Sequence, residues 1–109
     1  MSKFLFIESQ DPLEDRGAEA YLGYALELAR QKHPVTVFLV ENAALAARRG
    51  AQVPVRDALR EAGATLQVDE LALRERGIGA ERLAPGVQQG TIDQLVDLVA
   101  DPETRAIWH

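Results

Sequence analysis

Short apolar runs, stretches with a three-to-four-residue apolar period and clusters of turn-forming residues follow one another along this chain. That alternation predicts strands separated by helices. Phe4 to Ile7 is an unbroken apolar run rich in β-formers, closed by Ser9-Gln10-Asp11-Pro12; with no polar alternation it reads as a strand buried on both faces. From Gly17 onward, Ala18, Tyr21, Leu22, Ala25, Leu28 and Ala29 recur at helical steps while Glu19, Glu27 and Arg30 fall elsewhere, the pattern of an amphipathic helix. His33-Pro34 stops it, because proline has no N–H for the ladder and disfavours helical geometry in its predecessor. Val35 to Val40 is a second β-branched run, close enough behind the helix to pair with the first strand in parallel.

Ala43 to Arg49 is alanine-rich and halts at Gly50, and Val55 to Ala62 halts at Gly63, so two short helices are expected before the third strand. That strand, Thr65 to Val68, runs into Asp69-Glu70, and Leu71 to Arg76 follows as a helical turn or two. Gly77 to Gly90 contains four glycines and a proline without a sustained period, which predicts a loop with one turn near Ala80 to Leu83. Thr91 is placed to cap a helix whose inner stripe is Ile92, Leu95, Val96 and Val99; Asp93 favours its first turn, and Asp101-Pro102 ends it. Arg105 to His109 then forms a final strand. The sum is an α/β fold: a three-layer, open, mainly parallel sheet of four or five strands with helices on both faces, built as a single domain over residues 1–109.

Composition narrows the chemistry. With 109 residues there is material for one core, and 47% hydrophobic against 27% charged residues fits a globule rather than a disordered chain. Twelve basic and 17 acidic residues give a net charge of -5, which argues against nucleic acid as partner. No apolar stretch is long enough for a membrane span, and the first residues lack a signal-peptide core, so a cytoplasmic protein is expected. There is no cysteine, so disulfides, thiolate metal sites and thiol redox chemistry are excluded from this chain. The composition gives no reason to invoke a cofactor.

Four segments, taken in order, resemble the DsrE/DsrF-like family, the small α/β proteins of bacterial sulfur relay and sulfur oxidation. The first strand leads into Ser9-Gln10-Asp11-Pro12 and an alanine-rich helix. Val35-Thr36-Val37-Phe38-Leu39-Val40 leads to Asn42 and then Ala46-Ala47-Arg48-Arg49-Gly50. Gly63 precedes Thr65-Leu66-Gln67-Val68, and Leu73-Arg74-Glu75-Arg76-Gly77-Ile78 stands where the family has its leucine and Arg-Gly-Ile or Arg-Gly-Val. In the sulfurtransferases of that family the persulfide-carrying cysteine lies seven residues before the Arg-Gly pair, and here that position is Asp69; a second cysteine of some members corresponds to Ala72. A carboxylate cannot accept and release sulfane sulfur as a thiolate does. The resemblance therefore implies a cysteine-free, non-catalytic member: an oligomeric subunit or scaffold in sulfur metabolism, paired with itself or with a paralogous relay subunit.

The residues themselves leave a binding role open. Ligands of open parallel sheets lie outside the carboxyl ends of the strands, where Ser9, Gln10, Asp11, Asn42, Asp69 and Glu70 are expected. Asp11, Asn42, Asp69, Glu70, Arg76 and Gly77 are the candidate ligand-binding residues, for a small molecule or a small anion. Arg74 and Arg76 before Gly77-Ile78-Gly79 offer guanidinium and glycine amides to an anion, or equally a salt bridge and a tight turn. The strand-end acids also read as loop polarity, with Asp11 and Asp69 capping the helices that follow. A carboxylate-based enzyme is the third reading, requiring a carboxyl whose pKa burial has raised. No catalytic residue and no metal site is assigned, since Asp69-Glu70 supplies too few ligands and His33 and His109 lack ligand spacing. His33 reads as a helix-end residue, and His109 as a subunit contact or a solvated group. Tyr21 and Tyr24, one helical step apart, and Trp108 offer an assembly surface or ordinary packing.

Overall fold

A computed structural model describes residues 2–109. Five strands, β1 (Lys3–Glu8), β2 (Val35–Leu39), β3 (Thr65–Asp69), β4 (Val87–Gly90) and β5 (Thr104–Trp108), form one sheet in the order β4-β3-β2-β1-β5. Every pairing is parallel. The strands in chain order step from β1 to β4 in one direction, and their connections all lie on one face: α1 (Arg16–Arg30), a 3-10 helix (Glu41–Ala47), α2 (Pro54–Glu61) and α3 (Glu70–Glu75). From β4 the chain returns across the whole sheet to β5 beyond β1, and α4 (Ile92–Ala100) makes that return on the opposite face. A uniform crossover hand demands this: reversing the direction of travel along a sheet moves the connection to the other side.

The two-residue period of the strands divides the core between the faces. Phe6, Val35, Val37, Leu39, Leu66, Val68 and Val87 point to the first face, against Leu22, Ala25 and Ala29 of α1, Leu59 of α2 and Leu73 of α3. Leu5, Ile7, Phe38 and Val40 point to the second, where Leu95 and the half-buried Leu98 cover them.

Asp15 caps α1 by accepting from the Ala18 N–H at 3.0 Å, and Thr91 with Gln94 forms a reciprocal capping box on α4. Asp11, expected as a cap, instead accepts from the Leu13 N–H within the preceding turn. The segment expected as one helix to Arg49 is a 3-10 helix ending at Ala47.

Two further expectations are corrected. The loop from Gly77 to Gly90 carries the 3-10 turn Ala80–Arg82 and then β4, an edge strand. Only Val87 and Gly90 of β4 are buried, so no apolar period marked it. Gly90 is required there, because a Cβ would stand 2.7 Å from the Phe38 ring. On α4 the inner stripe shrinks to Leu95 and Leu98, while Ile92, Val96 and Val99 are exposed. Tyr24, paired with Tyr21 by spacing, is likewise exposed, whereas Tyr21 is buried.

Candidate functional site

The carboxyl ends of β1 and β2 open into a cavity of about 310 Å³ lined by Gln10, Asp11, Glu14, Asp15, Asn42 and Leu45. Its acids are largely engaged: Asp15 caps α1 and Asp11 holds the Leu13 N–H, while the Asp11 carbonyl accepts from the N–H groups of Glu14 and Asp15. Asn42 is tied to the next strand end. Arg76 donates from Nη2 to Asn42 Oδ1 at 2.9 Å and from Nη1 to the Ala72 carbonyl at 3.1 Å, bridging α3 to the 3-10 helix.

Asp69 sits at the end of β3 and caps α3, accepting from the N–H groups of Leu71 and Ala72 at 3.4 and 3.3 Å. Glu70 lies 3.9 Å from Arg74 one helical turn on, an exposed pair of small energetic weight. Gly77 has φ +66° and closes α3: its N–H donates to the Arg74 carbonyl and that of Ile78 to the Leu73 carbonyl. Those two amides are therefore spent on the helix end. The structure thus joins Asn42 to Arg76, leaves Asp11 with Asn42 on the acidic cavity, and employs Asp69, Glu70 and Gly77 in α3 itself.

A cluster that the sequence pattern did not single out lies beside that cavity. Glu8, at the end of β1, is fully buried, and its carboxylate accepts from the Gln10 N–H at 3.0 Å and from His109 Nδ1 at 2.9 and 3.0 Å. The His109 ring stacks on Tyr21 with centroids 5.1 Å apart, and the Tyr21 hydroxyl donates to the carbonyls of Ile7 and Ile107. Burial, with the Glu8 carboxylate nearby, pushes the Tyr21 hydroxyl pKa above the ordinary phenol range. His109, expected as a subunit contact or a solvated group, has its ring on the Glu8 carboxylate and ties the end of β5 to β1. The sequence signal was a lone acid ending an apolar run, because a buried carboxylate needs a partner, but the partner lies a hundred residues away.

The outer side of α4 and the adjacent face of β5 form an exposed apolar surface. Ile92, Val96, Val99 and Trp108 line, with Ile7, Leu95 and Ala100, a groove of about 320 Å³. Trp108 is 68% exposed. No helix among the described residues is long and apolar enough to cross a membrane, and no group of three or more metal-capable side chains gathers among them.

This sheet order and helix placement define a small parallel α/β protein, and its structural neighbours are small α/β proteins of the DsrE-like fold. The chain superposes on the YchN protein of E. coli with a TM-score of 0.90 at 19% identity, covering 100% of both chains. It superposes on MTH1491 of Methanobacterium thermoautotrophicum, a protein of unknown function, with a TM-score of 0.85 at 14% identity, again over 100% of both. No family model and no curated protein matches the sequence. At these identities the likeness establishes the fold.

Proposed function

We propose that this protein is a non-catalytic subunit of a homo-oligomer, in the sulfur-metabolism setting of the DsrE/DsrF-like proteins that its sequence resembles. The observation that carries the reading is the apolar groove between α4 and β5, with the exposed Trp108 in its wall. Soluble domains rarely leave such contiguous apolar surface without a partner. The occupant is a second copy: groove and protruding indole lie on one surface, so a two-fold contact places each Trp108 against the other chain's groove.

The sulfur setting is supported by the ordered motifs together with the DsrE-like fold. Sulfur transfer by this chain is not part of the reading, since it has no cysteine and the carboxylate of Asp69 is engaged in capping α3. Sedimentation in the micromolar range is expected to give a multiple of the monomer mass, reduced to the monomer by Trp108→Ser. A monomeric wild type would refute assembly. Persulfide acceptance from a sulfane donor above a protein-free blank would refute the non-catalytic assignment.

A further inference from the structure

Three arginines converge at a second, independent place. The turn Arg48-Arg49-Gly50-Ala51 between the 3-10 helix and α2, together with Arg82 before β4, lines a cavity of about 410 Å³. The two segments are fastened to each other: the Arg49 N–H donates to the Arg82 carbonyl and the Ala84 N–H to the Ala47 carbonyl, both at 2.8 Å. Arg48 and Leu83 form an isolated antiparallel bridge between them. The turn is also held from within by Arg56, only 6% exposed, whose guanidinium donates to the carbonyls of Ala46, Arg48 and Ala51 at 2.8 to 3.1 Å.

The charge balance at this point is unlike that of the molecule. The chain is acidic, yet among the described residues none of Arg48, Arg49 and Arg82 has a carboxylate within ion-pair distance. Asp57, the acid that follows Arg56, is shared by Arg56 at 3.0 Å and Arg60 at 3.4 Å. The Glu81 carboxylate lies over Gly79. Arg48 donates from Nε to the Leu45 carbonyl at 2.8 Å, and the exposed Arg48, Arg49 and Arg82 stand around one cavity on two segments joined by hydrogen-bonded backbone. Such an arrangement is self-repulsive when empty and is relieved by a multiply charged anion, whose oxygens match the guanidinium fork. The lining contains no aromatic ring and no carboxylate, so it recognises charge and oxygen geometry rather than a base or an amine.

We propose that Arg48, Arg49 and Arg82 form a binding site for a small phosphate-class polyanion, either an inorganic diphosphate or a phosphorylated small molecule. The site is separate from the cavity bordered by Asp11 and Asn42 and does not depend on assembly through α4 and β5. Calorimetric titration with inorganic pyrophosphate, against a chloride blank of equal ionic strength, is expected to give saturable binding. Arg49→Gln and Arg82→Gln, both on exposed side chains, are each expected to weaken it about tenfold or more, and Arg49→Lys less. Far-UV circular dichroism checks that these variants keep the fold. Glycerol 3-phosphate in a parallel titration separates the two sources: tighter binding than pyrophosphate assigns the site to a phosphate ester, weaker binding to the inorganic anion. Failure of both ligands to exceed the blank overturns the proposal, as does unchanged binding in the two glutamine variants. A variant that lowers the sedimenting mass while neither ligand binds the wild type also overturns it, making the pocket a seat for a carboxylate of another copy.

Discussion

The two faces of the sheet are built from the same strands and differ in what covers them. On the first, Phe6, Val37, Leu39, Leu66 and Val68 lie beneath α1, α2, α3 and the 3-10 helix, with alanines at positions 18, 25, 43, 44 and 47 letting backbones approach closely. On the second, a single nine-residue helix spans the return from one edge to the other and reaches the sheet through Leu95 and Leu98. The first face closes on itself, whereas the second ends in an apolar border of Ile92, Val96, Val99 and Trp108. One cause accounts for both: the three connections travelling in one direction must share a face, and the one that reverses direction has the other to itself. The asymmetry of the chain path thus leaves an unpartnered surface where the proposed assembly occurs.

Substitutions on the two faces sharpen this contrast. The largest effect is expected for Phe6→Ala, which empties a ring site that is 2% exposed under α1 and should cost about 3–5 kcal/mol in urea denaturation. A cost under about 1 kcal/mol would mean that the first face is not the main core. Gly90→Ala tests the small core of the second face, where the new methyl would press on the fully buried Phe38 ring. A loss of about 1–3 kcal/mol is expected, and a neutral result would show that α4 yields easily.

The third prediction concerns pH, at the junction of β1 and β5. The folded state holds the Tyr21 hydroxyl above its ordinary value, so its contribution is complete below about pH 10 and is lost as pH rises beyond it. Stability should fall by up to about 1.4 kcal/mol per pH unit in that range, less where solvent screens the hydroxyl. Tyr21→Phe should flatten that part of the profile, and an unchanged alkaline slope would assign the loss to other groups. The smallest effect on monomer stability belongs to Trp108→Ser, within about 0.5 kcal/mol. Its signature is the disappearance of any rise of melting temperature with protein concentration, and a concentration dependence that survives the substitution would place the interface elsewhere.

Much of the candidate site was legible at the level of local chemistry. Asp69 was readable as a cap because an acid ends a strand directly before an apolar helical turn. Asn42 and Arg76 could be named one by one, but their hydrogen bond spans 34 positions and has no local trace. The arginines of the second cavity are ordinary surface residues in sequence. Arg82 meets Arg49 only because the segment before β4 pairs with the turn before α2.

By itself the sequence determined the alternation of strands and helices, the parallel sheet, the caps at Asp69 and Thr91 and the exclusion of thiol chemistry, because these follow from local periodicity, backbone preference and composition. Only the tertiary structure decided that three of the four expected stripe residues of α4 stay outside, that β4 exists with almost no apolar signature, and that Glu8 meets His109. Each of these depends on which face a connection takes and which strands become neighbours. Those outcomes come from chain chirality and long-range pairing, and a local window of residues does not encode them.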